Sequence, residues 1–100
     1  MTRLAMPPRG EIDLGYGRKF NVDGATLLCQ DDAEPGRAAV FIYRAKDGGF
    51  IRIQQWGWNE FEKRDIEELD AINSWILNQV KGRIHVPFEE AFPNAEVEAA

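Results

Sequence analysis

The sequence of 100 residues has little with which to build a catalytic or metal site, because it contains one cysteine, one histidine and one serine. A lone thiol cannot form an internal disulfide, and one Cys with one His cannot supply the ligand clusters that zinc uses. A nucleophilic dyad would have to join Cys29 to His85, which lie far apart in the chain, so Cys29 is expected to be a buried structural residue. We therefore expect a non-enzymatic protein without a metal or cofactor.

Long apolar segments are also missing. No run approaches the roughly 18 residues of a membrane span, and the first ten residues, MTRLAMPPRG, lack the apolar stretch of a secretory signal. Together with the unpaired thiol, this predicts a cytoplasmic protein with no membrane partner. Because 44% of the residues are hydrophobic, we expect a single domain over 1–100, with a core at about 12–82, a docking tail at 83–93 and a flexible end at 94–100.

A basic excess is absent as well, since the net charge is −5, and this disfavours a dedicated nucleic-acid binder. Residues 37–58 depart from the average, because they carry four basic residues against one acid and are rich in aromatic side chains. Acidic residues lie on either side and define a second candidate surface, which is most simply a solvated one, with charge mimicry of a nucleic acid as the other interpretation. The residues of this acidic surface are Asp31, Asp32, Glu67, Glu68 and Asp70.

Strand signals dominate the first half of the chain. Asp-Gly pairs at 23–24 and 47–48 each lie between strand-like segments, which is a strong hairpin signal. They predict one hairpin that joins 18–22 to 25–30 and another that joins 38–46 to 50–56. A first strand is expected to start near residue 12, with a bend at Gly15 or Gly17.

From about residue 60 the apolar residues recur with the spacing of a helix. A capping pattern at Asn59 and Glu62, or another at Asp65 and Glu68, would begin the helix, and Gly82 is expected to end it as a left-handed cap. The fold class is therefore α+β, a four-stranded antiparallel sheet from two hairpins packed on one helix (β-β-β-β-α), followed by an extended tail in which Phe88 and Phe92 pair on one helical turn. The stripe expected to face the sheet is Ile66, Leu69, Ile72, Ile76, Leu77 and Val80.

The segment FIRIQQWGW at 50–58 carries large apolar side chains at odd and even positions, so both faces of the sheet need covering. A two-residue loop, Asp47-Gly48, places Phe41 and Tyr43 on the face of Phe50, whereas a three-residue loop ending at Gly49 places them on the face of Ile51. The two-residue loop is favoured because it leaves an aliphatic face for the helix. The other face is then covered by the tail, by a second copy of the chain or by a partner.

Aromatic residues with arginine are the composition of interface hot spots. We accordingly predict a small protein-binding module that acts as an inhibitor or adaptor of a larger intracellular protein, similar in type to phage-encoded antagonists of bacterial defence, such as anti-CRISPR proteins, and to toxin-immunity proteins. A homodimer is a further possibility. The predicted binding surface consists of Phe41, Tyr43, Phe50, Arg52, Trp56, Trp58 and Trp75.

The β-β-β-β-α order and the strand FIRIQQW at 50–56 resemble the PC4-type transcriptional coactivators over about one hairpin and the helix. The resemblance implies a curved sheet that binds single-stranded nucleic acid through base stacking and phosphate contacts. Single-stranded nucleic acid is therefore the alternative partner.

Overall fold

The computed structural model describes residues 5–95, which form a five-stranded antiparallel sheet, a separate two-stranded hairpin and two helices. The α+β class with an antiparallel sheet is confirmed, while the four-strand arrangement is replaced by the order β6-β5-β4-β3-β7 with β1-β2 apart. The strands are β1 (Glu11–Gly15), β2 (Arg18–Asn21), β3 (Thr26–Asp31), β4 (Ala39–Arg44), β5 (Phe50–Gly57), β6 (Glu60–Ile66) and β7 (Arg83–Ile84). The helices are α1 (Glu68–Lys81) and α2 (Phe88–Ala91).

The first predicted hairpin is wrong, because β2 pairs with β1 and β3 pairs with β4. Asp23-Gly24 lies in a single 3-10 turn, Val22–Gly24, that carries the chain from the small hairpin into the main sheet. Local side-chain bonds stabilise this turn in place of a hairpin. The Asn21 side chain accepts a hydrogen bond from the Asp23 backbone N–H at 2.9 Å, and the Asp23 carboxylate accepts one from Gly10 N–H at 2.9 Å.

The glycines near residue 16 form a hairpin turn, where a bend was expected. Gly15 pairs with Arg18, which leaves Tyr16 and Gly17 as the two central residues. Both have positive φ, 53° and 74°, as a type I′ turn requires. An aromatic side chain therefore occupies a backbone position that usually belongs to Asn, Asp or Gly.

The second predicted hairpin is present as β4-β5, but its loop is not the favoured one. Arg44 pairs with Phe50, and Ala45 N–H donates to Gly49 O at 2.7 Å, so the loop is the three residues 46–48. Gly48 at φ 90° supplies the left-handed position of such a loop. The side chains consequently adopt the face arrangement of the three-residue alternative, with Phe41 and Tyr43 on the side of Ile51.

Residues 60–66 form a strand, so neither predicted capping pattern begins the helix. Ile66 pairs with Phe50 and Arg64 pairs with Arg52. Strand β6 therefore supplies hydrogen-bond partners for the backbone groups along the outer edge of β5. Helix α1 begins at Glu68 after Glu67, which makes no side-chain cap. Gly82 at φ −131° is extended and is not a left-handed cap.

The face of α1 that packs on the sheet is not the predicted stripe. Ala71, Trp75 and Asn78 are the buried residues of the helix, and the small Ala71 and Asn78 let its backbone approach β3 while Trp75 fills the space beside them. Ile66 and Ile72 are only partly buried against this core. The other members of the predicted stripe, which are Leu69, Ile76, Leu77 and Val80, are exposed.

Both faces of the sheet are covered by the chain itself. One core, which includes Leu28, Ile42 and Phe50, lies beneath α1 and α2. The other lies between the sheet and the β1-β2 hairpin, and consists of Ile12, Val22, Ala39, Phe41, Tyr43, Ile51 and Ile53.

Residues 83–93, predicted as a docking tail, pack through α2 onto the helix side of the sheet. The predicted turn is confirmed, since the rings of Phe88 and Phe92 lie 5.2 Å apart. Trp75 lies beneath this segment and donates its indole N–H to Val86 O at 2.9 Å. Most of the segment predicted to be flexible, residues 96–100, lies outside the described residues. Neither helix between residues 5 and 95 is long and apolar enough to cross a membrane.

Candidate functional site

The structure divides the predicted aromatic surface into buried and exposed parts. Phe41, Tyr43, Phe50 and Trp75 are buried, because the β1-β2 hairpin and α2 cover the two sheet faces. They therefore belong to the cores and offer no docking surface. Trp56 and Trp58 are 58% and 95% exposed, and the partly buried Arg52 lines a cleft beneath α1.

The predicted acidic surface is similarly divided. Asp31 and Asp32 are buried and form ion pairs. Asp31 lies 3.2 Å from Arg37 and 3.1 Å from Lys81, and Asp32 lies 3.0 Å from Arg83. Because these pairs neutralise both carboxylates, only Glu67, Glu68 and Asp70 at the start of α1 remain as an exposed acidic group.

Asp32 is the centre of a polar network that holds residue 5 against β3. Burial raises the pKa of its carboxyl, but hydrogen bonds from Ala5 N–H, Arg83 and Gln30 outweigh burial and lower that pKa below its usual value. Gln30 in turn contacts His85 Nε2 at 2.7 Å. The pKa of His85 is lowered by burial and by the positive charge of Arg83, against an opposing effect of Asp32.

Cys29 and His85 do not form a dyad. The Cys29 thiol accepts a hydrogen bond from the Asn78 amide at 3.5 Å, whereas the His85 ring contacts Gln30. Burial raises the pKa of Cys29 to about 11, although the Asn78 bond opposes the rise. The thiol is thus protonated at neutral pH, and it is a poor nucleophile in that form.

Three exposed aromatic residues, Tyr16, Trp56 and Trp58, form what we call the hairpin-tip patch. Tyr16 is fully exposed on the β1-β2 turn, and Trp58 occupies the β5-β6 turn. The two turns are neighbours, because Gly15, which precedes Tyr16, and Asn59, which follows Trp58, line the same cleft of about 470 Å³. Trp56 lines this cleft as well. The sequence prediction missed Tyr16, although its position between two glycines was the signal of a turn that displays it.

A second exposed apolar surface is the outer helix face, defined by Leu69, Ile76, Leu77 and Val80. At 100° per residue these four positions lie within an arc of about 100°, opposite Ala71 and Asn78. Single exposed apolar residues are ordinary, whereas these four form one continuous exposed stripe.

A third feature is the arginine cleft, an opening of about 480 Å³ between α1 and the sheet. Its floor carries Arg52 and Arg64, which are directly paired across β5 and β6. The helix side contributes polar residues. The lining residues are Asp31, Val40, Arg52, Arg64, Ile66, Asp70, Asn73, Ser74, Leu77, Asn78 and Lys81.

Comparison of the chain with protein-family models, with curated proteins and with solved structures finds no match.

Proposed function

We propose that this chain is a small protein-binding module, an inhibitor or adaptor of a larger intracellular protein, and that it docks through the hairpin-tip patch. The observation that carries the proposal is the exposure of Tyr16 and Trp58 on two neighbouring turns and of Trp56 at the end of β5. All six phenylalanines, Tyr43 and Trp75 are buried or half-buried, so the chain has the means to bury its aromatic side chains and exposes only these three.

Tyr16 supports an interaction role because its backbone position is unfavourable for it. A non-glycine residue in a sparsely populated region costs about 1–3 kcal/mol, and Tyr16 at φ 53° is fully exposed. Packing within the described residues therefore does not offset the strain. Tyrosine and tryptophan contribute large contact areas at interfaces for little lost side-chain entropy.

The surroundings of the patch indicate the chemistry of its partner. Asp13, Glu60 and Glu62 line the same cleft as Trp56, so the aromatic centre has an acidic rim. A protein with an apolar pocket bordered by lysine or arginine would complement it. Rim charges of this kind affect the association rate and give only a modest dependence of affinity on salt.

The test is affinity capture from a host lysate with three immobilised proteins. We expect the wild type and a Val80→Ser control to retain the same partner and Trp58→Ser to lose it, because truncation of a central aromatic anchor costs about 2 kcal/mol or more. Trp58 is 95% exposed, so its replacement leaves the fold intact. Retention of the partner by Trp58→Ser, or equal loss with Val80→Ser, would contradict the assignment of this patch.

Single-stranded nucleic acid is the second candidate partner, and the exposure of Trp56 and Trp58 favours it because exposed indoles stack on bases. Intrinsic tryptophan fluorescence during titration with a mixed-sequence oligonucleotide separates the two proposals. Saturable quenching that weakens steeply with salt would support nucleic-acid binding. With the acidic rim described above, we expect no saturable change even at low salt.

The outer helix face suits a second copy of the chain. In an antiparallel pair of α1 helices with a two-fold axis near Ser74, Leu69 of one copy packs beside Val80 of the other. This arrangement brings the acidic first turn of each helix towards Lys81 of the other copy. A parallel pair would place the two acidic turns together, so the homodimer is proposed to be antiparallel.

A further inference from the structure

Arg52 and Arg64 are an unusual pair because they carry the same charge on directly opposite positions of adjacent strands. Opposite side chains on one face of an antiparallel pair have Cβ atoms roughly 4.5–5.5 Å apart, and like charges there destabilise the sheet. Both arginines line the arginine cleft. Two guanidinium groups therefore share one site beneath α1.

The remaining residues compensate this charge only weakly. Arg64 lies 3.4 Å from Glu62, and both side chains are at least half exposed, so the ion pair contributes little. Arg52 has no ion pair or hydrogen bond from its side chain to any residue between 5 and 95. Arg52 thus offers guanidinium donors that the described part of the protein does not use, and Arg64 is held only by the exposed Glu62.

The helix side of the cleft carries hydrogen-bonding groups that are also unused. Asn78 lines the cleft and is 4% exposed, and its Oδ1 has no hydrogen-bond partner among the described residues. This atom is enclosed beside Gly82 and Gln30 O, so the hydrogen-bonding side chains that a ligand can reach on this side of the cleft are those of Asn73 and Ser74. Asn73 and Ser74 line the same side.

Two acids also line the cleft, and they differ in their pairing. Asp31 is held by Lys81 and Arg37 at 3.1 and 3.2 Å, so its charge is already neutralised. Asp70 on α1 has no ion pair within residues 5–95 and opposes anion binding through its charge. The arginine pair therefore supplies the positive end of the cleft, and Asp70 reduces its strength.

We propose that the arginine cleft binds a small phosphorylated molecule that also carries hydroxyl groups. A phosphate monoester is a dianion near neutral pH, and two guanidinium groups match it in charge and in the geometry of their paired donors. Hydroxyl groups of the same ligand bond to Asn73 and Ser74 on the helix side of the cleft. The volume of about 480 Å³ lies within the range of small-molecule sites and exceeds what a free phosphate needs. This site goes beyond the protein-binding proposal, because it uses no residue of the hairpin-tip patch and shares only Leu77 with the outer helix face.

The experiment is a titration of the full chain with ribose 5-phosphate, inorganic phosphate and ribose, followed by NMR through the backbone amide and arginine Nε signals. We expect saturable shifts of Arg52 and Arg64 with ribose 5-phosphate, weaker binding of inorganic phosphate and no shifts with ribose. Arg52→Gln is expected to lower the affinity for ribose 5-phosphate at least about 10-fold, because charge-assisted hydrogen bonds are lost. Asp70→Asn is expected to raise this affinity. Arg18→Gln, on β2, is expected to leave it unchanged.

Each contrary result has a distinct meaning. The absence of saturable shifts, or an equal loss of affinity in Arg18→Gln, would overturn the cleft as a binding site. Equal affinity for inorganic phosphate and ribose 5-phosphate would overturn the assignment of an organic ester. The amide spectrum of each variant reports whether it is folded, and Asp70→Asn tests the site by a gain of affinity that unfolding cannot imitate.

Discussion

At the scale of single residues, Arg52 has opposite consequences for stability and for binding. Replacement by Gln removes a like-charge pair with Arg64, which costs roughly 0.2–1 kcal/mol in an antiparallel sheet. We therefore expect Arg52→Gln to raise the free energy of unfolding by about 0.5 kcal/mol in urea titrations at low salt, and by less at high salt, where the charges are screened. Arg18→Gln should leave the free energy of unfolding unchanged. A loss of stability in Arg52→Gln would contradict a repulsion between Arg52 and Arg64.

Asp32 and His85 each contribute to the dependence of stability on acid. The folded pKa of His85 lies below its usual value, so the unfolded chain binds the proton more readily, and stability falls as the pH decreases through about 6.5. The folded pKa of Asp32 is also lowered, so a second loss follows as the pH decreases through about 3.9 and below. Urea unfolding at a series of pH values should show both losses.

The variant that isolates the second loss is Asp32→Asn. The amide of this variant does not titrate. The variant should therefore be less stable than the wild type at neutral pH, and its stability should change less between about pH 5 and 2. Equal acid slopes for the two proteins would show that the network around Ala5 and Arg83 does not depend on this carboxylate.

At the scale of elements, position 82 requires a glycine because α1 and β3 approach each other closely there. A Cβ at this position would collide with Asn78 Oδ1 and Gln30 O, where α1 passes over β3. Overpacking of this kind costs about 1–3 kcal/mol, so Gly82→Ala should lower the free energy of unfolding by that amount in urea. Gly57→Ala is the matched control, because its nearest neighbour would be Glu60 Cδ at 3.8 Å, and a similar loss there would contradict the explanation.

The elements also show what local sequence patterns can predict. The position of the turn at Asp47-Gly48 and the helical turn at Phe88 and Phe92 depend on neighbours in the chain, and both were predicted, although the loop has three residues and not the favoured two. The pairing of β2 with β1 and the strand at 60–66 depend on partners elsewhere in the fold, so propensity and capping patterns alone did not reveal them.

The buried side of α1 illustrates the same limit for packing. Hydrophobicity favoured the stripe from Leu69 to Val80, but the sheet accommodates Ala71 and Asn78, which are smaller, with Trp75 beside them. Steric fit to β3 decided the orientation, and the sequence of α1 alone does not contain the shape of β3. Of the candidate site, Trp56 and Trp58 were predicted as surface residues, whereas the arginine cleft required knowledge of the β5-β6 register.

At the scale of the whole molecule, the outer helix face is expected to control association. Val80 is 91% exposed, so Val80→Lys places a charge in the proposed dimer interface without disturbing the core. Light scattering after size-exclusion chromatography should give a dimer mass for the wild type and for a Trp58→Ser control, and a monomer mass for Val80→Lys. A wild type that is monomeric at all concentrations would exclude the antiparallel dimer.

The position of β7 has a consequence for folding during synthesis. The outer edge of β3 is paired by residues 83–84, which follow α1 in the chain, and Arg83 also binds Ala5 O and Asp32. A nascent chain that ends before residue 83 therefore exposes the edge of β3 and leaves residue 5 without this anchor. Such an edge pairs readily with other extended chains. The interval before β7 pairs with β3 is accordingly the time at which the edge of β3 is most open to pairing with other chains.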